Sequence, residues 1–358
     1  MVKNLIIVGL IFMIGILVVP SILVTSFPSE TPGVEEPIPA DTETKETEPA
    51  EAQPASEENA GSTLPAEVQT VSVFRSSSEM IEEVPLEEYI AGVVASEMPA
   101  SYEMEALKAQ ALTARTYLFR QIMDGHDLSL PEGADVTDTV LHQVFKNEEE
   151  LIETWGGEFE WKMSRIRQAV YETEGQVITF EDEPITATFF STSNGYTENS
   201  EEYWESEFPY LRSVESPWDV ESPRYKGTRE LSVGEFQQKL QVELAGEGIG
   251  EIESRTTGGR VAKVTIGGKT FSGREIRDAL ELDSSDFSWE RQGDRILIET
   301  RGWGHGVGMS QFGADGMAKE GYTYRDIIQH YYHGVSIEEA SAVLVKHEEN
   351  ENLADDVG

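Results

Sequence analysis

The sequence contains no cysteine among its 358 residues. This absence excludes disulfide bonds, thiolate nucleophiles and every zinc or iron–sulfur site built on cysteine ligands. Only six histidines are present, and the two that lie close together are His330 and His333. No third ligand is evident beside them, so packing explains this pair better than a metal site does. The sequence therefore predicts no metal site, and its chemistry has to come from carboxylates, histidines, hydroxyls or a cofactor. No motif indicates a cofactor, so none is expected.

Basic residues are also scarce. The chain has 27 Lys and Arg against 67 Asp and Glu, which gives a formal net charge of −40. A negative field of this strength repels nucleic acids and anionic lipids alike, so general polyanion binding is excluded. Hydrophobic residues make up 39% of the chain, which is enough for a substantial folded core.

One long hydrophobic run stands near the beginning of the chain, at residues 5–24. Twenty uncharged and mostly aliphatic residues are the length of a transmembrane helix. Lys3 is the one charge before this run and the flank after it is acidic, so we expect residues 1–4 to be cytoplasmic and the rest of the chain extracytoplasmic. A cleaved signal peptide ending near Thr25 is the alternative interpretation.

The segment after this run is typical of a flexible tether. Residues 29–66 carry ten acids, one lysine and six prolines but no aromatic residue, a composition that cannot bury enough surface to fold. We expect 25–66 to be a disordered linker and the acidic residues 347–358 to be a disordered tail. The folded domain is then expected at 67–346.

Within 67–346 the sequence predicts a mixture of helices and strands. Predicted helices span 86–97, opened by Pro85, and about 102–123, capped by Ser101; capping boxes at Ser232/Glu235 and Ser272/Glu275 begin two more, and two short helices precede Gly334. Predicted strands are 69–74, 294–300, a hairpin of 176–180 with 185–191, and a hairpin that turns at Gly267-Gly268. Residues 124–160 show no clear periodicity. The predicted class is α+β, a single interleaved domain with helices packed on antiparallel strands.

Glu97 is the most informative candidate for chemistry. The helix 86–97 has an apolar stripe at helical spacing, formed by Leu86, Tyr89, Ile90, Val93 and Val94. Glu97 continues the same stripe, so a carboxylate is directed to where a side chain should be buried. Desolvation raises the pKa of such a carboxyl, which suits a general acid working near neutral pH. The alternative is an ordinary C-terminal glutamate that pairs with a nearby Lys or Arg.

The next helix offers two cations, Lys108 and Arg115, on one face two turns apart. They are candidates for holding an anionic or hydroxylated substrate, or for orienting Glu97. The alternative is that both are surface charges.

A third cluster is the glycine-rich segment 301–321, in which His305 stands among alternating glycines. The spacing does not fit a dinucleotide-binding fingerprint. His305 is a candidate proton carrier or sugar ligand, and a buried structural histidine is the alternative. Hydroxyl, amide and aromatic side chains in 190–204 also suit a polyhydroxylated ligand, although loops often have this composition.

Three blocks, at 84–119, 188–204 and 302–334, together closely resemble the stage II sporulation protein D family. They read VPLEEYIAGVVASEMPASYEMEALKAQALTARTYLF, TFFSTSNGYTENSEEYW and GWGHGVGMSQFGADGMAKEGYTYRDIIQHYYHG, and they stand in the family's order. The resemblance implies a membrane-anchored lytic transglycosylase that cleaves peptidoglycan between N-acetylmuramic acid and N-acetylglucosamine and leaves a 1,6-anhydro end. It also implies a preference for strands stripped of stem peptides.

The resemblance places the family's catalytic glutamate, in its V-x-A-S-E-M-P block, on Glu97. Candidate substrate-binding residues are Lys108, Arg115, Ser191, Ser193, Asn194, Tyr203, His305 and Gln311. The resemblance further implies action at the engulfing septum of sporulating cells, with the stage II sporulation proteins P and M as partners. The runner-up function is a non-catalytic peptidoglycan-binding activator of a cell-wall amidase.

One segment departs from the family pattern. Some relatives carry Cys and His in a segment resembling A-D-V-C-D-T-x-H-C-Q-V-Y and can bind zinc there. This chain reads ADVTDTVLHQVF at 134–145, where His142 remains without either cysteine. This departure agrees with the prediction that no metal is bound.

Overall fold

The computed structural model describes residues 70–124 and 130–355. The helices are α1 (Leu86–Glu97), α2 (Met104–Met123), α3 (Glu148–Trp155), α4 (Phe159–Tyr171), α5 (Val233–Leu240), α6 (Gly273–Leu280), α7 (Gln311–Lys319), α8 (Tyr324–Tyr331) and α9 (Ala340–Asp355). The strands are β1 (Thr70–Arg75), β2 (Met80–Pro85), β3 (Val136–Thr137), β4 (Gln176–Phe180), β5 (Glu183–Pro184), β6 (Phe189–Phe190), β7 (Lys226–Ser232), β8 (Glu251–Arg255), β9 (Val261–Ile266), β10 (Lys269–Ser272), β11 (Phe287–Gln292), β12 (Arg295–Arg301), β13 (Met309–Ser310) and β14 (Ser336–Glu339). The predicted mixture of helices and strands is confirmed.

The strands of the described residues form small sheets rather than one large one. Their orders are β2-β1-β3, β14-β4-β5, β10-β9-β8, β11-β12-β7 and β13-β6. Most neighbouring strands are antiparallel, as predicted, but β1 with β3 and β6 with β13 are parallel. The parallel pair β6 with β13 joins segments far apart in the sequence, and the candidate site lies beside it.

Helix α2 is the centre of the larger hydrophobic core. It contacts α1, α4, β4, α7 and α8, and its residues from Ala106 to Phe119 are buried on nearly every side. Four alanines along this stretch, at 106, 109, 111 and 114, are fully buried and let neighbouring elements approach closely. The predicted single apolar stripe was therefore too narrow.

A second, smaller core lies within residues 226–301. Leu231, Phe236, Ile276 and Ile298 are among the side chains that fill it, between α5, α6 and the strands around them. Both predicted capping boxes are present, with Ser232 accepting from the backbone N–H of Glu235 and Ser272 accepting from that of Glu275. The hairpin at Gly267-Gly268 is confirmed as β9 with β10.

Three predicted boundaries were wrong for identifiable reasons. Helix α2 begins at Met104 rather than 102, because the backbone N–H of its N-cap residue Glu103 donates to Asp315. The second arm of the predicted hairpin 176–191 leaves the sheet after Pro184, and the N–H of Thr186 donates to the hydroxyl of Tyr210 instead. Residues 124–160 contain α3, whose Asn147/Glu150 capping box was overlooked.

Of the features predicted for the two ends of the chain, only the acidic tail lies largely within the described residues. No helix within the two described ranges is long and apolar enough to cross a membrane. The predicted transmembrane helix 5–24 and linker 25–66 lie outside the described residues. Helix α9 continues to Asp355, so the backbone of 347–355 is helical where composition predicted disorder. Its Glu, Leu and Ala residues are good helix formers, so the acidic composition of this segment does not prevent a helix.

Candidate functional site

A cleft of about 770 Å³ opens where the C-terminus of α1 meets β6 and the start of α7. Its walls combine aromatic rings with hydroxyl, amide and a few charged groups. The polar and aromatic side chains that line it are Ser96, Glu97, Ser101, Tyr102, Trp155, Trp161, Lys162, Phe189, Phe190, Ser191, Thr192, Ser222, Arg224, Trp303, Gln311 and Phe312. A concave site with aromatic walls and few polar groups is typical of small-molecule and sugar binding.

Glu97 lies in this cleft as the last residue of α1. The five apolar members of its stripe are buried, so the helix is fixed against the core and its final side chain points along the same face. The chain becomes extended at Met98 and reaches Pro99, which ends the helix at this point. The periodicity that singled out Glu97 therefore also explains its position.

The Glu97 carboxylate is largely buried and accepts a hydrogen bond from the backbone. The N–H of Val144 donates to Glu97 Oε1 at 3.2 Å. Burial raises the pKa of the Glu97 carboxyl, and this hydrogen bond offsets the effect only in part. No salt bridge joins Glu97 to any cation in the described ranges, so the alternative of an ordinary ion-paired glutamate is not what the structure shows there.

Gln311, a predicted substrate-binding residue, lines the cleft beside Glu97. Its Nε2 donates to the backbone carbonyl of Glu97 at 3.1 Å and approaches Gln110 Oε1 at 3.4 Å. The bond caps a carbonyl at the C-terminus of α1 that has no partner within the helix. Gln311 thus couples α7 to the residue that carries the acid.

Lys108 and Arg115, predicted to hold substrate or to orient Glu97, do not line the cleft. Arg115 is fully buried and donates from Nη1 to the carbonyl of Thr173 at 2.8 Å. Lys108 forms salt bridges with Glu105 and Glu172. Neither is an unpaired surface charge, since both join helices within the fold.

The predicted residues of 191–194 divide between the cleft and the interior. Ser191 lines the cleft. Ser193 is fully buried and donates to Asp219 from its N–H at 3.0 Å and from its hydroxyl at 2.8 Å. Asn194 donates to the carbonyl of Gly258 and to Asp286, both at 2.9 Å. Ser193 and Asn194 therefore make hydrogen bonds within the fold and do not line the cleft, and their binding of substrate stays a prediction.

His305 and Tyr203 pack together outside the cleft lining. The His305 ring is surrounded by Phe190, Tyr203 and Trp204 at centroid distances of 5.4–5.7 Å. Its Nδ1 accepts from the N–H of Val307, which leaves Nε2 to donate to the carbonyl of Phe189 at 3.0 Å. Burial lowers the pKa of His305 to about 4, so the ring is neutral and the structural alternative describes it better than a proton carrier.

The tryptophans and Arg224 were overlooked by the sequence analysis. Trp161 and Trp303 are 44% and 41% exposed, which leaves ring faces open to a ligand. Trp155 lies in the region 124–160, where no periodicity was recognised, and Trp161 follows it directly. Trp303 lies two residues before His305. The exposure of these tryptophans depends on which elements pack around them, so no local sequence pattern marks them.

The segment 134–145 supplies Val144 to the site but does not gather ligands around His142. The Nδ1 of His142 accepts from the N–H of Thr137 at 3.3 Å. In the described ranges no three His, Asp or Glu side chains are grouped in a way that could hold a metal ion.

Comparison with known proteins identifies the family. The model of the stage II sporulation protein family matches residues 75–180, which include Glu97 and the backbone donor of Val144. Stage II sporulation protein D of Bacillus subtilis (strain 168) is 51% identical over 286 residues, covering 80% of this chain and 83% of that protein. The protein of the same name from Bacillus amyloliquefaciens is 48% identical over 340 residues, covering 93% and 95%. The chain therefore belongs to the stage II sporulation protein D family, a family of sporulation proteins.

A more distant relative carries a different name. The amidase enhancer of Bacillus subtilis (strain 168) is 28% identical over 301 residues, covering 69% of this chain and 40% of that protein.

Proposed function

We propose that this protein is a lytic transglycosylase that cleaves peptidoglycan between N-acetylmuramic acid and N-acetylglucosamine. The observation that supports this most directly is that Glu97 is the one carboxylate lining the cleft, among the residues that the structure describes. Its pKa is raised by burial, so its protonated form persists to higher pH than that of an exposed glutamate. A protonated carboxyl in an aromatic cleft is suited to donate a proton to a glycosidic oxygen.

A single acid is sufficient for this reaction. A glycoside hydrolase of the usual kind needs two carboxylates, one to protonate the leaving oxygen and one to attack or to activate water. In the proposed reaction Glu97 gives its proton to the glycosidic oxygen, and the C1–O bond breaks to release the N-acetylglucosamine end. The C6 hydroxyl of the same muramic acid then bonds to C1 and returns its proton to Glu97. The products are a 1,6-anhydro end and a regenerated acid.

The remaining cleft residues are suited to holding the sugar. The open faces of Trp161 and Trp303 offer stacking surfaces for pyranose rings. Ser191 and Gln311 place a hydroxyl and an amide in the same cleft, where they can bond sugar hydroxyls.

We extend the proposal to the cellular setting. As a member of a sporulation protein family, the chain is proposed to act on stripped glycan strands at the engulfing septum. Residues 5–24 are proposed to anchor it with the catalytic domain outside the membrane, and the stage II sporulation proteins P and M are proposed as partners.

The test compares the full chain as wild type, Glu97→Gln and Glu88→Gln on glycan strands freed of stem peptides. Glu88 is on the same helix but is exposed and paired with Arg167, which makes it the matched control. Wild type and Glu88→Gln should release 1,6-anhydro-muramyl products detectable by mass spectrometry, and Glu97→Gln should not. Absence of product from wild type, or equal product from Glu97→Gln, would refute the catalytic proposal.

The second candidate is a non-catalytic activator of a cell-wall amidase, and the name of the amidase enhancer supports it. This function predicts that Glu97→Gln stimulates a purified amidase as well as wild type does. The catalytic proposal predicts new anhydro ends without any added amidase.

A further inference from the structure

The charge inside the cleft is opposite to the charge of the chain. Acids outnumber basic residues by 67 to 27 in the whole sequence. The charged side chains that line the cleft in the described residues are Glu97, Lys162 and Arg224, two cations and one acid. Lys162 is neutralised by a salt bridge to Glu158 at 2.9 Å. Arg224 is thus the cleft cation that has no acidic partner among the described residues and can bind an anionic ligand.

Arg224 is held in place without a carboxylate. Its guanidinium lies over the ring of Trp303, 4.9 Å from the centroid, and Nη1 is 3.4 Å from the hydroxyl of Ser191. No acid of the described ranges lies within salt-bridge distance of it. Arg229 and Arg301, on the strands that continue from this point, both pair with acids. The guanidinium of Arg224 is therefore free to bind an anionic group of a ligand, and its stacking on Trp303 orients it.

The ladder of β7 and β12 carries this positive charge outward from the cleft. Lys226 is opposite Arg301 in the ladder, and the N–H of Gly302 donates to the carbonyl of Tyr225, so the pairing continues toward Arg224 and Trp303. Arg224 itself stands in the turn that precedes β7, two residues before Lys226. Lys226 is exposed and forms no salt bridge with any described residue. Arg224 and Lys226 thus place two cations without a salt bridge to any described residue at the start of β7.

We propose that Arg224 binds a carboxylate of the glycan, namely the free lactyl carboxylate of a muramic acid whose stem peptide has been removed. In an unstripped strand the same carbonyl belongs to an uncharged amide, so a guanidinium at this point distinguishes the two forms of the sugar. Planar guanidinium and carboxylate groups match in two parallel hydrogen bonds, and the Trp303 ring fixes the plane. This inference rests on the proposed function, because it names the form of the strand that the cleft admits.

The test measures binding rather than turnover, using the full chain with Glu97→Gln so that the ligand stays intact. Calorimetry compares a short stripped glycan, its carboxyl methyl ester and a chitin oligosaccharide of the same length. We expect the free acid to bind about tenfold or more tightly than the ester, as for a charge-assisted hydrogen bond. Adding Arg224→Gln should abolish this preference, and Arg224→Lys should retain part of it.

Arg325→Gln is the matched control, because Arg325 also lies over an aromatic ring, that of Tyr324 at 4.8 Å, and forms no salt bridge with a described residue. It should keep the full preference for the free acid. Equal binding of acid and ester by the Glu97→Gln chain would overturn the inference. So would equal weakening of all three ligands by Arg224→Gln, since a structural role for Arg224 would affect the uncharged chitin ligand too.

The two proposals fail separately. Preference for the free acid without anhydro products from wild type would defeat the catalytic proposal and leave the carboxylate subsite in place. Anhydro products without any preference would defeat the subsite alone.

Discussion

Arg115 donates to both carboxylate oxygens of Glu87, from Nε at 3.0 Å and from Nη2 at 2.5 Å. This pair joins α2 to the first turn of α1, the helix that ends at Glu97. The same guanidinium also donates to the carbonyl of Thr173. Arg115 therefore holds in place the helix that presents the acid, although it does not line the cleft itself.

Arg115→Ala should lower the free energy of unfolding by about 3–5 kcal/mol, the usual cost of removing one partner of a buried ion pair. Arg120→Ala is the control on the same helix, since its salt bridge to Asp124 is largely exposed and should contribute about 1 kcal/mol or less. Urea denaturation of both variants measures the difference. Full stability of Arg115→Ala together with lost glycan binding would instead support the substrate-binding role predicted from sequence.

Glu97 should make stability depend on pH. Because burial raises its pKa in the folded state, the folded chain disfavours the ionised form, and stability is lost as pH rises above the ordinary pKa of a glutamate. Glu97→Gln removes this loss, so its stability relative to wild type should increase as pH rises from the ordinary pKa of a glutamate through the raised pKa of Glu97. Urea denaturation across this range checks the trend. A constant difference between the two proteins would show that Glu97 has an ordinary pKa.

The same shift should appear in the rate of the proposed reaction. The first step needs protonated Glu97, so kcat should fall as pH rises through the raised pKa. Measuring kcat for formation of the anhydro product as a function of pH locates this decrease. If kcat instead falls at the pH where a solvent-exposed glutamate titrates, burial does not raise the pKa of the catalytic acid.

His305 should remain uncharged until strongly acidic pH. Its pKa is lowered from 6.5 to about 4, first by burial and then by the charge of Arg277. The unfolded chain takes up this proton earlier than the folded chain, so stability present above about pH 6.5 should be lost as pH falls toward about 4. His305→Gln should lose less stability over this interval. An NMR resonance of the His305 ring that titrates near its ordinary pKa would contradict the prediction and return His305 to the candidates for proton transfer.

Gly306→Ala should be more destabilising than Gly321→Ala. Both glycines have left-handed backbone, with φ of 89° and 91°, so each substitution costs about 1–2 kcal/mol from that conformation. A Cβ at Gly306 would also overlap the guanidinium of the buried Arg260, whereas none of the described atoms lies near a Cβ at Gly321. Overpacking should add about 1–3 kcal/mol at Gly306. Thermal unfolding of the two variants measures this difference, and equal losses would show that the Arg260 side chain can move aside.

The sequence was informative where a local pattern determines structure. Helix α1 and the direction of Glu97 followed from one periodicity, and the capping boxes at Ser232 and Ser272 each mark a helix start in the structure. Arg115 was misjudged because its partners, Glu87 and Thr173, lie on other elements and no spacing within α2 reveals them. The aromatic walls of the cleft were missed for the same reason, since Trp161 and Trp303 line one cleft only after the chain has folded.

The parallel pairing of Phe189–Phe190 with Met309–Ser310 has a consequence for the order of folding. Contacts between segments so distant in sequence form slowly, because a long loop has to close before they are gained. The wall that contains Gln311 and Trp303 cannot meet Glu97 until nearly the whole chain has been synthesised. A growing or truncated chain that lacks residues beyond about 300 thus carries Glu97 without the wall formed by Trp303, Gln311 and Phe312.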